Sequence, residues 1–261
     1  MEGMIDALRQ VPVPPGTVLL TRFGGAGLLL RTVSTTVLID LYLGGDAAPG
    51  WVRSCPIPFT PGELGRLGPV AALFSTHEHM DHCYEPVIQQ LGKAAGTIFV
   101  GPERSAVIAE RAGFPAERVH RVRQGDRITV GDIDVEVYAF FDPGSPESLS
   151  YLFRTGTVTV FHAGDATLDS EMQVIARRHR VDVAFMSLAR RAENFRGHMS
   201  AEEMAEAAML VRPKRLVPMH YDLWEVLRED PQRVVAALRR RTKAITVLPM
   251  AQGDVLRLPD A

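Results

Sequence analysis

The residues best suited to chemistry lie in one run, Phe74-Ser75-Thr76-His77-Glu78-His79-Met80-Asp81-His82-Cys83. Three histidines and an aspartate fall within positions 77–82, directly after the apolar run Val70-Ala71-Ala72-Leu73-Phe74. Imidazole nitrogen and carboxylate oxygen are ligand types that hold zinc, manganese or iron while leaving a bound water reactive. The pattern therefore points to a hydrolase whose nucleophile is a water activated by metal ions. One histidine alone would read as a polar loop residue; the HxHxDH spacing at a strand end reads as a metal site. If strand geometry persists through the motif, His77 and His79 leave the same face and grip one ion. Asp81 and His82 then turn onto the following loop toward a second ion, and Glu78 and Met80 point away.

Further histidines and carboxylates end other apolar runs. Thr36 to Asp40 reads as a strand closing on a carboxylate, and Val158 to Phe161 as a strand feeding His162-Ala163-Gly164-Asp165. Leu216 to His220 is a short strand ending on a histidine. Gly24-Gly25-Ala26-Gly27 lies between strand-like runs at Thr17 to Thr21 and Leu28 to Val33; it reads as a tight turn, because it lacks the GxGxxG spacing of a phosphate cradle. Helices are expected to begin at Tyr84-Glu85-Pro86 and stop at Gly92, and to run from about Glu103 to Ala112, from about Leu168 to Arg178, after the Ser200/Glu203 capping box through Val211, and after Asp230-Pro231. The Gly- and Pro-rich residues 44–69 are expected to form an irregular surface loop near the substrate. Strands in both halves with helices between them imply an α/β chain of two packed sheets with helices outside.

Composition narrows the function. A net charge of −2 disfavours nucleic acid as a partner. Two cysteines, Cys55 and Cys83, do not make a disulfide scaffold. No basic segment followed by a long apolar run opens the chain, and no apolar stretch approaches the ~20 residues needed to span a bilayer. The expected partner is a small-molecule substrate, with no membrane involved and a cytoplasmic location.

The HxHxDH motif after a strand, Gly164-Asp165 after another, and Pro218-Met219-His220 resemble, in order, the motifs of the metallo-β-lactamase-fold superfamily. Phe23 to Gly27, Phe99-Val100-Gly101-Pro102, Tyr151-Leu152-Phe153, Asn194-Phe195-Arg196-Gly197 and Pro218 to Trp224 are similar to the bacterial L-ascorbate-6-phosphate lactonases. The similarity runs from about residue 17 to residue 240. It implies one domain over 1–261, a four-layer αββα sandwich of two mixed β-sheets with helices on the outer faces. It implies two divalent metal ions. His77 and His79 would bind the first, Asp81, His82 and His220 the second, and Asp165 would bridge them. Asp81 would also orient the attacking water. The third histidine usual for the first metal is replaced here by Asp142, either a ligand or a turn-former before Pro143. The resemblance points to manganese, with zinc as the alternative, and to a homo-oligomer.

His162 reads as a hydrogen-bonded residue behind the site or as a direct ligand. His198 reads as a proton donor or substrate contact facing the metals, or as an exposed loop histidine. Arg196 offers a fork for a substrate phosphate or carboxylate, or pairs with a surface acid. Tyr221 and Trp224 line the pocket or pack in the core. The implied reaction is hydrolysis of a lactone or other ester of a small metabolite, phosphorylated or not. The alternatives are a phosphodiesterase of the same fold and a non-catalytic metal-binding protein.

Overall fold

The computed structural model describes residues 3–139, 144–156, 158–190 and 197–259. Sheet one contains β1 (Val18–Arg22), β2 (Leu28–Arg31), β3 (Thr36–Ile39), β4 (Ala72–Phe74), β5 (Ile98–Gly101) and β6 (Val119–Arg121). Sheet two contains β7 (Arg127–Val130), β8 (Ile133–Tyr138), β9 (Ser150–Arg154), β10 (Thr159–His162), β11 (Val183–Ser187), β12 (Arg215–Met219) and β13 (Thr246–Val247). The last strand, β14 (Val255–Leu258), returns to sheet one beside β1. The orders are β14-β1-β2-β3-β4-β5-β6 and β13-β12-β11-β10-β9-β8-β7.

Strand alternation creates the layers. Val18, Leu20, Leu28, Leu30, Val37 and Ile39 face sheet two, where Val135, Phe153, Val183 and Phe185 meet them. The intervening Leu19, Leu29, Leu38, Leu73 and Phe99 face outward, as a period of two requires. They are covered by α1 (Met4–Gln10), α2 (Glu85–Gly92) and α3 (Glu103–Arg111). On the far side Ala184, Met186 and Leu216 are covered by α4 (Gln173–Arg178), α5 (Ala201–Val211) and α6 (Gln232–Arg239). The layers are thus α, β, β, α, as expected.

Strands β3 to β6 run parallel to one another, and so do β10 to β13. Parallel strands bring their C-terminal ends to one edge, where ligands collect in α/β sheets. Asp40, the 75–82 segment, Asp165 and His220 all follow such strand ends.

Several expectations need correction. Strand geometry does not persist into the motif: β4 stops at Phe74, and His77 and His79 lie on bends beyond it. The helix α1 carries no sequence expectation; it has seven residues, of which Ile5 and Leu8 are buried. Residues 44–69 are not surface loop throughout. Pro61–Leu67 forms a 3-10 helix opened by a Thr60/Glu63 capping box, and Leu64 and Leu67 are buried in the outer core.

Candidate metal centre

Asp40 organises the first half of the site. It is fully buried, and its φ of 46° puts it in the left-handed region. Its Oδ1 accepts from the Thr76 backbone N–H at 2.8 Å, and its Oδ2 accepts from Thr76 Oγ1 at 2.7 Å and His82 Nδ1 at 2.8 Å. Because the Thr76 hydroxyl proton goes to this carboxylate, Thr76 Oγ1 is an acceptor for His77 Nδ1 at 3.0 Å. Both imidazoles therefore carry their Nδ1 protons toward Asp40 and Thr76 and turn Nε2 into the site. His77 Nε2 meets His79 Nδ1 at 2.9 Å, and His82 Nε2 lies 3.2 Å from Asp165 Oδ2.

The second half comes from sheet two. Gly164, at φ 64°, lets the chain turn after β10; a Cβ there would meet Thr76 Cβ at 3.0 Å. Asp165 follows, with Oδ1 3.4 Å from His198 Nδ1 and Oδ2 3.7 Å from His220 Nε2. His220, at φ 70°, sits directly beyond β12 and donates its backbone N–H to Gly25 O at 2.9 Å. A left-handed non-glycine residue is held only where its surroundings fix it, and such positions cluster at functional sites. His220 Nε2 also approaches Asp81 Oδ2 at 3.2 Å, and Trp224 Nε1 donates to that oxygen at 2.9 Å.

Three overlapping groups result, each with ligand atoms within 4.8 Å of one another: His77, His82 and Asp165; Asp81, His82 and His220; Asp165, His198 and His220. His79 is exposed and stands outside these groups, beside His77. His198 is buried against Asp165 and His220, so it is not an exposed loop histidine. His162 commits both ring nitrogens to backbone, Nε2 donating to Ala26 O at 2.9 Å and Nδ1 accepting from Gly164 N at 3.3 Å. The Gly24–Gly27 turn thus anchors two histidines. Met80 does not point away; it lines the cavity, as does Trp224. Asp142 and Arg196 lie outside the described residues.

Asp40 was legible only as a carboxylate at a strand end, 42 positions from the histidine it orients. The sequence offers Trp224 as pocket-lining or core, and its bond to Asp81 joins positions 143 residues apart.

The electrostatics call for positive charge. Burial opposes ionisation of Asp81 and Asp165, yet neighbouring histidines outweigh it and hold both carboxyls well below their usual range. Burial likewise opposes the charged form of His82, and Asp165, Asp40 and Asp81 outweigh it, raising its pKa. Burial wins at His77 and His198, each lowered to about 3. Among the described residues, buried His82 Nε2, Asp165 Oδ1 and His220 Nδ1 make no well-formed hydrogen bond, His82 Nε2 having only the ion-pair contact to Asp165 Oδ2. Convergent carboxylates with such orphaned atoms fit divalent cations, since unpaired buried polar atoms are costly.

Comparison with known proteins agrees. The profile of the beta-lactamase superfamily domain matches residues 35–221. A UPF0173 metal-dependent hydrolase of Pyrobaculum calidifontis is 31% identical over 239 residues, 90% of this chain and 98% of that protein. A probable L-ascorbate-6-phosphate lactonase of Escherichia fergusonii is 24% identical over 273 residues, 88% of this chain and 76% of its own. The solved structure of Igni18, a metallo hydrolase of Ignicoccus hospitalis, aligns with TM-score 0.75 at 19% identity, over 94% of this chain and 100% of the other. That structural likeness bears on the fold alone. No helix among the described residues is long and apolar enough to cross a membrane.

Proposed function

Because this chain belongs to the beta-lactamase superfamily and, within it, to the metal-dependent hydrolases, we propose that it hydrolyses a lactone or other ester of a small metabolite, using two divalent ions, manganese or zinc. The observation that carries this reading is the overlap of three His/carboxylate groups, two of which share Asp165. The resemblance to a probable lactonase supports the choice of ester chemistry.

His77 and His79 would hold one ion, Asp81, His82 and His220 the other, and Asp165 both. When bound, the ions would lower the pKa of a water and polarise the scissile carbonyl. The chain's own residues do the rest. Asp40 and Thr76 fix the tautomers of His77 and His82, so that both present Nε2. Asp81 stays ionised and acceptor-only; with Oδ2 held by Trp224, its Oδ1 orients the attacking water and relays its proton to the departing alkoxide. His198, kept neutral by burial, lies where its ring can hydrogen-bond the departing oxygen or contact the substrate.

The test is elemental analysis of purified protein, then a panel of lactones, aryl esters and bis-p-nitrophenyl phosphate with the identified metal restored. Ester or lactone turnover that chelation abolishes, and that Asp81→Ala and Asp165→Ala each nearly eliminate, is expected. Turnover of the diester alone would transfer the site to phosphodiester chemistry. A metal content of about one ion per chain or less after reconstitution would remove the two-ion reading.

A further inference from the structure

Deepening the ester reading above, on which it rests, we infer that the substrate is uncharged and carries a ring-sized aryl or alkyl group, seated on an apolar wall formed by Trp51, Met80, Trp224 and Leu227. These four residues line the same cavity of about 410 Å³ as Asp81, Asp165, His198 and His220. That volume lies in the range of small-ligand sites.

Solvent reaches this wall at Met80, while Trp224 and Leu227 are buried. Met80 is 44% exposed, and the neighbouring Ala47 and Ala48 are also exposed. An apolar group laid there removes both its own surface and theirs from water. The indole donor of Trp224 is already committed to Asp81, so this residue offers the substrate ring surface only. The Tyr42 hydroxyl behind it is likewise committed, to Gly45 O at 2.7 Å.

The wall is also built rather than collapsed. Trp51 meets Trp224 edge-on at 5.8 Å, and Tyr42 packs on Trp224 at 5.6 Å and on Tyr84 at 4.9 Å. The loop carrying Trp51 is closed by Ala47 N–H to Trp51 O at 3.0 Å and Trp51 N–H to Ala48 O at 2.8 Å. Arg53 pins its base: the guanidinium donates to Gly44 O at 2.6 Å, Cys55 O at 2.8 Å and Pro56 O at 3.1 Å. Arg53, two residues beyond Trp51, is therefore spent on backbone carbonyls. Among the described residues no Lys or Arg lines the cavity. A phosphate or carboxylate tail laid on these four side chains would lose water without gaining a partner from them, which is costly.

The chain has two tryptophans, and both stand in this wall, so intrinsic fluorescence reports its occupancy. The experiment uses the metal-restored full chain with γ-lactones of increasing alkyl length and with equally long lactones ending in a carboxylate or phosphate. In parallel, the non-hydrolysable cyclic ethers of the same alkyl lengths are titrated by fluorescence. We expect kcat/KM to rise about fourfold per added methylene until the cavity is filled, anionic analogues to be at least ~10-fold poorer, and the ethers to quench with matching length dependence. Met80→Lys, a change on an exposed rim, should flatten the length dependence and favour the anionic series. Lactone turnover that ignores chain length, or prefers the anionic tail, would overturn the inference while leaving ester hydrolysis intact. Length-dependent quenching without any turnover would sustain the apolar wall and overturn the ester chemistry instead.

Discussion

Trp224 donates its indole Nε1–H to Asp81 Oδ2 at 2.9 Å, on the oxygen that His220 Nε2 approaches at 3.2 Å. One carboxylate oxygen is thus fixed from two directions, and both donors come from the segment after β12. The carboxylate is aimed before any ligand arrives, which is what a reacting group needs in order to act without rearrangement.

Trp224→Phe keeps an aromatic ring in the apolar wall and removes this bond, together with part of the packing on Tyr42 and Trp51. The expected outcome is a fall in turnover of about 10–100-fold, the usual cost of losing a group that orients a metal ligand, with the circular dichroism spectrum unchanged. Turnover equal to wild type in steady-state assays would mean that Asp81 needs no such clamp.

Asp40→Asn tests the other half of the site. Asn tolerates the left-handed backbone at this position, so the fold should be retained. The charge that His82 and Thr76 point to would vanish, and the His82 tautomer would lose its determinant. Metal affinity should drop by about 10–100-fold, measured by competition against a chelating dye. Unaltered affinity would show that His82 is oriented by packing alone.

Gly25→Ala probes the turn that carries His220. Gly25 has φ 55°, and an added Cβ would stand 2.9 Å from Leu223 Cδ2, a side chain with no exposed surface to move into. The left-handed backbone adds roughly 1 kcal/mol of strain. Thermal unfolding should shift downward by several degrees, and metal affinity should fall because Gly25 O holds the His220 backbone. A variant with wild-type melting temperature would show that the turn relaxes freely.

How much of this was legible follows from how local each feature is. The HxHxDH cluster, the strand ends at Asp165 and His220 and the Ser200/Glu203 box are contiguous patterns, and the capping box and strand ends appear as read. Inward and outward faces of β1 to β3 follow from alternation, which any strand imposes. What stayed hidden depends on contacts between distant segments. Nothing near Asp40 reveals that Thr76 and His82 bind it, and nothing near His198 shows that α5 and β11 fold it against Asp165. The short helix α1 escaped because two buried residues do not establish a helical period.

Arg22 and Asp222 give the site its acid limit. The guanidinium, 1% exposed, meets both carboxylate oxygens, at 2.9 and 2.6 Å, and its Nε donates to Met250 O at 3.0 Å. Asp222 Oδ1 also accepts from Gly25 N at 3.3 Å, so the pair braces the turn under His220. Burial opposes the Asp222 charge, but the Arg22 hydrogen bonds and charge outweigh it and lower its pKa below 3.8. A depressed carboxyl pKa contributes stability that is complete above the unfolded value and is lost as pH falls through the folded one. The loss should therefore begin below about pH 4. Asp222→Asn should destabilise the protein at neutral pH by about 3–5 kcal/mol, because it strands a buried guanidinium. Its stability should also vary less with pH below 4 than that of wild type, measured by denaturant unfolding from pH 7 to pH 2.5. Parallel acid limbs in the two proteins would assign the acid sensitivity to other carboxylates.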